Sequence, residues 1–167
     1  MSNYKAKTIL IASGSRWKEL EIPGESQFKT RGVAYCSSCD APFFRGKNVV
    51  VVGGGNSGVE AALELAVIAK SVVIFEYRDE FTADKILIDK AVNNKRITLK
   101  PSSEILEIKG NEKLEKIVVK NRKTDEIDEF VTDGVFVEIG LMPNSDFAKD
   151  TVELYVKERK ILRPDLE

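Results

Sequence analysis

Two cysteines, Cys36 and Cys39, are separated by two residues, and Asp40 directly follows the second. This spacing suits closure of a disulfide and activation of a thiolate, so the pair is a candidate redox dithiol. Two other interpretations stay open, namely half of a zinc site shared between two chains and two incidental thiols. A zinc site within one chain normally needs four nitrogen or sulfur ligands, and the chain has two cysteines and no histidine. Asp40 is a candidate proton donor or acceptor for the thiolates, or else a turn or helix-cap residue.

A glycine-rich segment, residues 53–58 (GGGNSG), has the spacing Gly-x-Gly-x-x-Gly between an apolar run and a segment with helical character. In this context the first glycine permits a tight turn, the second lets the backbone approach a pyrophosphate, and the third allows close packing of helix on strand. The helix N-terminus offers N–H groups and the positive end of its dipole to the phosphates. The alternative is a glycine-rich turn without a ligand. The candidate nucleotide-binding residues are Gly53, Gly55, Asn56, Ser57 and Gly58.

An acidic residue, Glu76, follows the next apolar run. Dinucleotide-binding folds place an acid about 20 residues after the glycine loop, where it binds the adenine ribose hydroxyls. Because a carboxylate repels a 2′-phosphate, Glu76 favours NADH over NADPH. Arg78, two residues later, keeps NADPH open as an alternative cofactor. The other interpretation of Glu76 is a solvent-exposed acid at the end of a strand.

The composition excludes several classes of function. The chain has 167 residues, a formal net charge of -1, 43% hydrophobic residues and 32% charged residues, which predicts one globular domain with a buried core. A net charge near zero offers no general attraction for nucleic acid or an anionic membrane. The absence of histidine excludes Ser–His and Cys–His nucleophilic catalysis. The apolar run at 9–12 is too short for a signal peptide or a membrane span, so we expect a cytoplasmic protein, where reducing conditions favour a redox pair over a structural one.

The motifs need elements that hold them in place, and the hydrophobic pattern predicts these elements. Continuous apolar runs predict buried parallel strands at 8–12, 48–52, 71–75 and 134–139, with a short strand at 97–99. Helices are expected at 59–70 and 82–93. Alternation of apolar and charged residues at 105–108, 114–119 and 127–130 predicts an antiparallel three-stranded meander. A turn at 158–160 and a strand fragment at 161–162 are expected near the C-terminus. Together these elements predict a Rossmann-like, doubly wound α/β fold with an inserted β-meander.

Three blocks of the sequence resemble one known family. They are residues 32–40 (GVAYCSSCD), residues 53–62 (GGGNSGVEAA) and residues 134–144 (GVFVEIGLMPN). The chain resembles the pyridine-nucleotide domain of the low-molecular-weight thioredoxin reductase family over roughly residues 5–148. The third block adds Ile139 and Gly140 to the candidate cofactor-binding residues.

The segment after the second predicted nucleotide strand, residues 76–85 (EYRDEFTADK), is informative within that family. NADPH-dependent thioredoxin reductases resemble His-Arg-Arg here, with a further arginine after the phenylalanine. In this chain Glu76 and Tyr77 replace the first two residues, Arg78 remains, and Thr82 replaces the later arginine. The pattern is closer to the flavoprotein subunit of alkyl hydroperoxide reductase, whose relatives use NADH. The resemblance therefore leaves a thioredoxin-, glutaredoxin- or peroxiredoxin-like protein as the disulfide substrate.

The resemblance implies an oxidoreductase reaction in which electrons pass from NADH to FAD, then to the Cys36–Cys39 disulfide and then to a protein disulfide. By this analogy Cys39 faces the flavin, Cys36 attacks the partner disulfide and Asp40 is the acid. A rotation of domains would present the nicotinamide and the disulfide to the flavin in turn. The expected partners include no nucleic acid and no membrane, and a homodimer is left open.

The family also needs FAD-binding motifs that this sequence lacks, since its one glycine loop of this type is at 53–58. We therefore interpret residues 1–31 as a flank resembling the end of the first half of a flavin domain. Residues 32–148 are interpreted as the NAD(P)H-binding domain, and residues 149–167 as a flank leading toward a missing flavin-domain segment. The chain alone is expected to hold no FAD and to lack the full reaction. The alternatives are a non-catalytic dinucleotide-binding module, from a truncated gene or a designed sequence, and a thiol carrier that ignores nucleotide.

Overall fold

The computed structural model describes residues 5–149 together with the backbone of residues 154–155 and 160–161. The chain divides into two compact units, one of which is Lys18–Gly140 and the other Met1–Trp17 with Leu141–Glu167. The domain boundaries predicted at residues 31 and 148 stay a prediction. Within the described residues, no helix combines the length and the apolar character needed to cross a bilayer.

The described elements are numbered along the chain. The strands are β1 Ser15–Trp17, β2 Val33–Ala34, β3 Asn48–Val52, β4 Ser71–Phe75, β5 Ile97–Lys100, β6 Ser103–Gly110, β7 Leu114–Asn121, β8 Ile127–Val131, β9 Gly134–Val137, β10 Leu141–Pro143, β11 Leu154–Tyr155 and β12 Lys160–Ile161. The helices are α1 Glu25–Phe28, α2 Ser37–Asp40, α3 Asn56–Ile68 and α4 Lys85–Val92, with 3-10 turns at Ala41–Phe44 and Asp146–Ala148.

A five-stranded parallel sheet, in the order β2-β9-β3-β4-β5, forms the centre of the Lys18–Gly140 unit. The valine run of β3 is buried on both faces of this sheet, as is typical of parallel strands covered on both sides. On one face Val49 and Val51 pack with Leu65 of α3 and Ala91 of α4. The strands predicted at 48–52 and 71–75 are confirmed.

The antiparallel meander β6-β7-β8 covers the second face of the central sheet. Ile105, Ile108 and Ile117 are buried in the same cluster as Val50 and Val52, and Ile105 and Ile108, three residues apart, share this face because the β6–β7 register shifts between Ile105 and Glu107. Charged residues occupy the other face of the meander, which explains the period of two in the sequence. The predicted α/β fold with an inserted three-stranded meander is confirmed, with helices on one face of the sheet and the meander on the other.

The strand predicted at 8–12 is wrong. Ile9 and Leu10 are 84% and 91% exposed, and these residues form no strand in the structure. An apolar run becomes a buried strand only where a neighbour accepts and donates its backbone hydrogen bonds, and no described residue pairs with this segment. In the same unit β1 instead pairs antiparallel with β10, with Arg16 opposite Met142.

Several predicted bounds also change. The first predicted helix begins earlier, at Asn56, and the second is shorter, Lys85–Val92. The last buried strand ends at Val137 instead of 139. The C-terminal strand fragment is found as β12, Lys160–Ile161, whereas the predicted turn before it lies largely outside the described residues.

A buried carboxylate fixes the backbone just before the cysteine pair. Glu25 is 1% exposed and accepts hydrogen bonds from the N–H groups of Leu20 (2.9 Å) and Glu21 (2.7 Å) and from the hydroxyl of Tyr35 (2.8 Å). Burial, followed by this hydrogen bond to Glu25, raises the pKa of Tyr35 well above its usual range. Because Tyr35 directly precedes Cys36, this network positions the start of the cysteine segment.

Candidate functional site

The carboxyl ends of four neighbouring parallel strands bring distant parts of the sequence together. Cys36 follows β2 after one intervening residue, Glu138 follows β9, Gly53 follows β3 and Glu76 follows β4. Since the strand order is β2-β9-β3-β4, the four residues succeed one another along one edge of the sheet, with neighbouring strands about 4.8 Å apart. Ligands of open α/β sheets bind at this carboxyl edge.

The cysteine pair forms a disulfide at the start of the short helix α2. Cys36 and Cys39 are bonded, with their Cα atoms 5.3 Å apart. Cys36 is the N-cap of α2, and its Sγ accepts a hydrogen bond from the Cys39 N–H at 3.3 Å. Cys39 is exposed and Cys36 is half-buried, so another molecule can approach the disulfide. Asp40 ends α2, and its N–H donates to the Cys36 carbonyl at 3.1 Å.

The glycine loop has the close approaches that its spacing predicts. Gly53 has φ of 122°, and a Cβ there would lie 2.9 Å from the carbonyl carbon of Glu138. A Cβ on Gly58 would lie 2.8 Å from the carbonyl carbon of Gly53. At Gly55, in contrast, the nearest atom to such a Cβ is Thr82 Oγ1 at 3.8 Å, so the space beside the loop is open. This open cradle at the N-terminus of α3 fits a pyrophosphate.

The first residues of α3 have different roles in the structure. The amide of Asn56 donates to Asp84 Oδ2 at 3.0 Å and its oxygen accepts from the Asp84 N–H at 2.7 Å. The Asn56 side chain therefore ties the segment before α4 to the start of α3. Ser57 is exposed beside it, where its hydroxyl is free to meet a ligand.

Glu76 is a buried acid that is bonded to the glycine loop. It is 8% exposed and accepts hydrogen bonds from the N–H groups of Gly54 (2.5 Å) and Arg78 (2.7 Å), one on each carboxylate oxygen. Each oxygen has a second lone pair, so the carboxylate can still accept ribose hydroxyls. The burial contradicts the alternative of a solvent-exposed strand-end acid. The Arg78 residue itself is exposed.

A stacked pair next to Glu76 was not predicted from the sequence. The Arg122 guanidinium carbon lies 3.7 Å from the centre of the Tyr77 ring, and its Nη1 donates to the Tyr77 carbonyl at 2.8 Å. Tyr77 is still 53% exposed, so the ring is held in place and accessible. No local signal reveals this pair, because Arg122 belongs to the turn between β7 and β8.

Two carboxylates adjoin the cysteine helix, and the sequence did not single them out either. Ser37 and Ser38, the residues between the cysteines, donate from Oγ to Glu64 Oε2 at 2.7 and 3.2 Å. The N–H of Ser37 faces the carboxyl of Glu138, which is half-buried. Burial and then the charge of Glu64 raise the pKa of Glu138 to about 7, and the Ser37 N–H partly opposes this shift. A lone acid after the apolar run Val135–Val137 is the signal that could have found Glu138.

The last two predicted cofactor residues come directly after Glu138 at the same sheet edge. Ile139 is half-buried, and its Cγ2 would lie 3.5 Å from a Cβ on Gly53. Gly140 has φ of 103°, and its carbonyl accepts the Lys18 N–H at 3.0 Å. In the described part of the chain, no group of three or more cysteine, aspartate or glutamate side chains is placed to hold a metal ion.

Comparison with known protein families gives one match over nearly the whole chain. The family described as "Pyridine nucleotide-disulphide oxidoreductase" matches residues 1–166 of this chain. The F subunit of alkyl hydroperoxide reductase from Pseudomonas putida is 46% identical over 154 residues, which is 92% of this chain and 30% of that protein. NADH dehydrogenase of Bacillus subtilis is 42% identical over 149 residues, which is 89% of this chain and 29% of that protein. The chain thus spans less than a third of these relatives.

Solved structures share the fold. Thioredoxin reductase of Lactococcus lactis, in its FR conformation, superposes with a TM-score of 0.83 and 38% identity, over 91% of this chain and 50% of that one. Thioredoxin reductase of T. acidophilum gives a TM-score of 0.81 and 36% identity, over 87% of this chain and 48% of that one.

Proposed function

Because this chain belongs to the pyridine nucleotide-disulphide oxidoreductase family, we propose that it is the nucleotide-binding and redox-dithiol part of a flavoprotein disulfide reductase. One observation carries this proposal, which is that the disulfide and the glycine loop lie at the same edge of one parallel sheet. A site built in this way can bind a dinucleotide and present a disulfide within one compact unit.

The proposed nucleotide is NADH. Its pyrophosphate would lie against the open side of Gly55 and the N-terminus of α3, and Ser57 would add a hydroxyl donor. The buried carboxylate of Glu76 would accept the adenine ribose hydroxyls and disfavour a 2′-phosphate. The name NADH dehydrogenase, which the Bacillus subtilis relative carries, supports the same preference. Arg78 is exposed nearby, so NADPH is the competing ligand to be measured.

The proposed redox centre is the Cys36–Cys39 disulfide. When bound, the pyridine nucleotide and FAD supply the electron pair that breaks the S–S bond, and two protons complete the two thiols. Cys36 then attacks a disulfide of a partner protein and forms a mixed disulfide with it. Cys39 attacks this mixed disulfide, which releases the partner as a dithiol and re-forms the Cys36–Cys39 bond. Asp40 donates or accepts the protons of these steps. Cys39 is proposed to face the flavin. We propose that FAD is held outside this chain, whose one loop of the Gly-x-Gly-x-x-Gly type is assigned to NADH.

The proposed substrate is the disulfide of a thioredoxin-, glutaredoxin- or peroxiredoxin-like protein in the cytoplasm. The alkyl hydroperoxide reductase among the relatives supports the peroxiredoxin-like class, and the thioredoxin reductase structures support the thioredoxin-like class. Purified partners of each class, added to the reduced chain, would show which disulfide accepts the electrons.

Two measurements on the 167-residue chain test the proposal. Calorimetric titration should give a dissociation constant for NADH below about 1 mM, within the range of typical KM values. The dissociation constant for NADPH should be larger, because Glu76 disfavours a 2′-phosphate. Reduced and oxidised dithiothreitol should convert the cysteine pair reversibly between dithiol and disulfide. The nucleotide assignment is overturned if neither nucleotide binds at millimolar concentration. If NADH binds but the cysteines do not exchange, the chain is a dinucleotide-binding module without redox chemistry.

A further inference from the structure

The residues between the two cysteines are hydrogen-bonded to one acid, Glu64, and lie near a second acid, Glu138. Glu64, on α3, accepts the hydroxyl groups of Ser37 and Ser38 at 2.7 and 3.2 Å. Glu138, after β9, faces the N–H of Ser37. The cysteine helix is thus hydrogen-bonded to Glu64, and Glu138 follows β9, the strand paired with β2, which leads into Cys36.

We propose that Glu138, together with Glu64, sets the ionisation of the reduced cysteine pair, because negative charge on these acids beside the cysteine segment opposes formation of the thiolate. This inference rests on the proposed redox function of Cys36 and Cys39. Glu138 is a positioning residue in this proposal, because it acts on the sulfur atoms through Ser37 and through its charge.

The charged surroundings of Glu138 favour this assignment. The charge that acts on it from α3 is Glu64, whereas the Ser37 N–H of α2 is the group that stabilises its anion. The other titratable side chains of these two helices, apart from the cysteines, are Asp40 and Glu60, and both are acids. The neighbouring strands β2 and β3 and the 3-10 turn after α2 contribute no charged side chain. None of these helices, strands or turns therefore supplies a cation that would stabilise a thiolate, and Lys18, whose N–H donates to Gly140 two residues after Glu138, is exposed.

The acids matter because the reduced cysteine pair gains a negative charge when one of its thiols loses a proton. The disulfide is neutral, and its reduction breaks the S–S bond, adds two electrons and adds two protons to give two thiols. The nucleophile in disulfide exchange is the thiolate, which forms when one thiol loses its proton. A thiolate next to two ionised acids is unfavourable, and the cost decreases when the carboxyl pair keeps one proton. Titration of Glu138 with a pKa of about 7 places this change near neutral pH.

The pH profile of thiol alkylation tests the proposal. In a Cys39→Ser background the chain has one thiol, Cys36, and its rate constant with iodoacetamide is measured from about pH 5 to pH 10. Glu138→Gln keeps the size of the side chain and an oxygen for the Ser37 N–H but removes the charge. We expect the profile to move to lower pH, with a rate at pH 7.5 about threefold or more above that of the Cys39→Ser parent.

Matched variants separate charge from structure. Glu138→Asp keeps the charge and should retain the profile of the parent. Glu115→Gln removes one exposed acid on the meander and should also leave the profile unchanged. If Glu138→Gln fails to fold, Glu64→Gln at the exposed end of the pair provides the same test, with a smaller shift in the same direction.

The results distinguish this inference from the proposed function. If Cys36 and Cys39 exchange with dithiothreitol in the parent but the charge-removing variants leave the alkylation profile unchanged, the role of the acids is overturned and the redox assignment stands. If the cysteine pair does not exchange at all, the proposed function fails first and this inference fails with it.

Discussion

The buried carboxylate of Glu76 accepts a hydrogen bond from the backbone N–H of Gly54 at 2.5 Å, which joins the acid after β4 to the loop after β3. A Cβ on Gly54 would lie 2.7 Å from the same carboxylate oxygen. We assign Glu76 to the ribose and the glycine loop to the pyrophosphate. The hydrogen bond therefore links the two parts of the proposed nucleotide site. A change at Glu76 should alter both recognition and loop geometry.

Substitution of Glu76 tests nucleotide preference. Glu76→Gln removes the charge and replaces one accepting oxygen with an NH₂ group, while Glu76→Ala removes both hydrogen bonds. Since a hydrogen bond to a charged group contributes about 1.5–3 kcal/mol, we expect NADH binding to weaken about tenfold or more in both variants. The ratio of NADPH to NADH dissociation constants should decrease, because the repulsion of a 2′-phosphate is lost. Titration of both nucleotides measures this, and an unchanged ratio contradicts the assignment.

Gly55→Ala separates ligand binding from stability. Gly55 has φ of −83°, which alanine also adopts, and the nearest atom to an added Cβ is 3.8 Å away. We expect the melting temperature to stay within a few degrees, since replacing glycine by alanine at an N-cap costs about 1 kcal/mol or less. NADH binding should decrease about tenfold or more, because the methyl group occupies the approach of the pyrophosphate. Undiminished NADH affinity would show that the ligand does not lie on this side of the loop.

Gly58→Ala should mainly lower the stability of the chain, whereas Gly55→Ala should mainly weaken NADH binding. Its Cβ would overlap the Gly53 carbonyl, so the start of α3 must move away from the loop. Overpacking of this kind costs about 1–3 kcal/mol, which we expect to appear as a lower midpoint of urea unfolding with or without nucleotide. A variant as stable as the parent would contradict the close packing of helix on loop.

The Glu25 network should be important for stability. Glu25→Gln keeps one accepting oxygen and turns an NH₂ group toward a backbone N–H, so a part-buried donor loses its partner. We expect a loss of about 1–3 kcal/mol in the free energy of unfolding. Tyr35→Phe removes one of the three hydrogen bonds and should cost less, about 1 kcal/mol. Urea unfolding at neutral pH measures both, and an equal or reversed order would contradict the central role of Glu25.

The raised pKa of Glu138 predicts a specific dependence of stability on pH. Its carboxyl has a pKa of about 7 in the folded chain against an ordinary value of 4.5, mainly because it is buried. Between these values the folded state holds a proton that the unfolded state has released, so the free energy of unfolding falls as pH rises from 4.5 to 7. The contribution is complete below the lower value and is lost above the higher one. In Glu138→Gln the difference between unfolding midpoints at about pH 5 and pH 8 should shrink, and Glu115→Gln should keep the parental difference.

The sequence was most informative where one local pattern determines one local structure. The valines of β3 are apolar on both faces, so their run indicated a buried parallel strand with the observed bounds. The glycine loop between a strand and a helix likewise permits few geometries. A side chain at Gly53 or Gly58 would overlap the carbonyl group of another residue, so the backbone must pass closely at both positions. These features depend on neighbours that are close in the chain, and that is why they could be predicted.

Features that depend on distant neighbours were missed or wrong. Ile9 and Leu10 have the composition of a strand, but the structure offers them no described partner. The strand Val33–Ala34 has two residues and leaves no periodic signal, yet it places the cysteine segment. Glu138 and Glu64 both lie near α2, but only after the sheet and α3 have packed. An exposed glutamate on a helix, such as Glu64, gives no sign in the sequence that it will hydrogen-bond the cysteine segment.

The position of β9 within the central sheet also has a consequence for how the chain acquires its structure. This strand lies between β2 and β3, with Val33 paired to Val135 and Val49 paired to Gly134. During synthesis both flanking strands emerge from the ribosome long before the strand that separates them. The cysteine segment and the glycine loop therefore reach their final spacing only when β9 inserts, and we expect this long-range pairing to form late and slowly during folding.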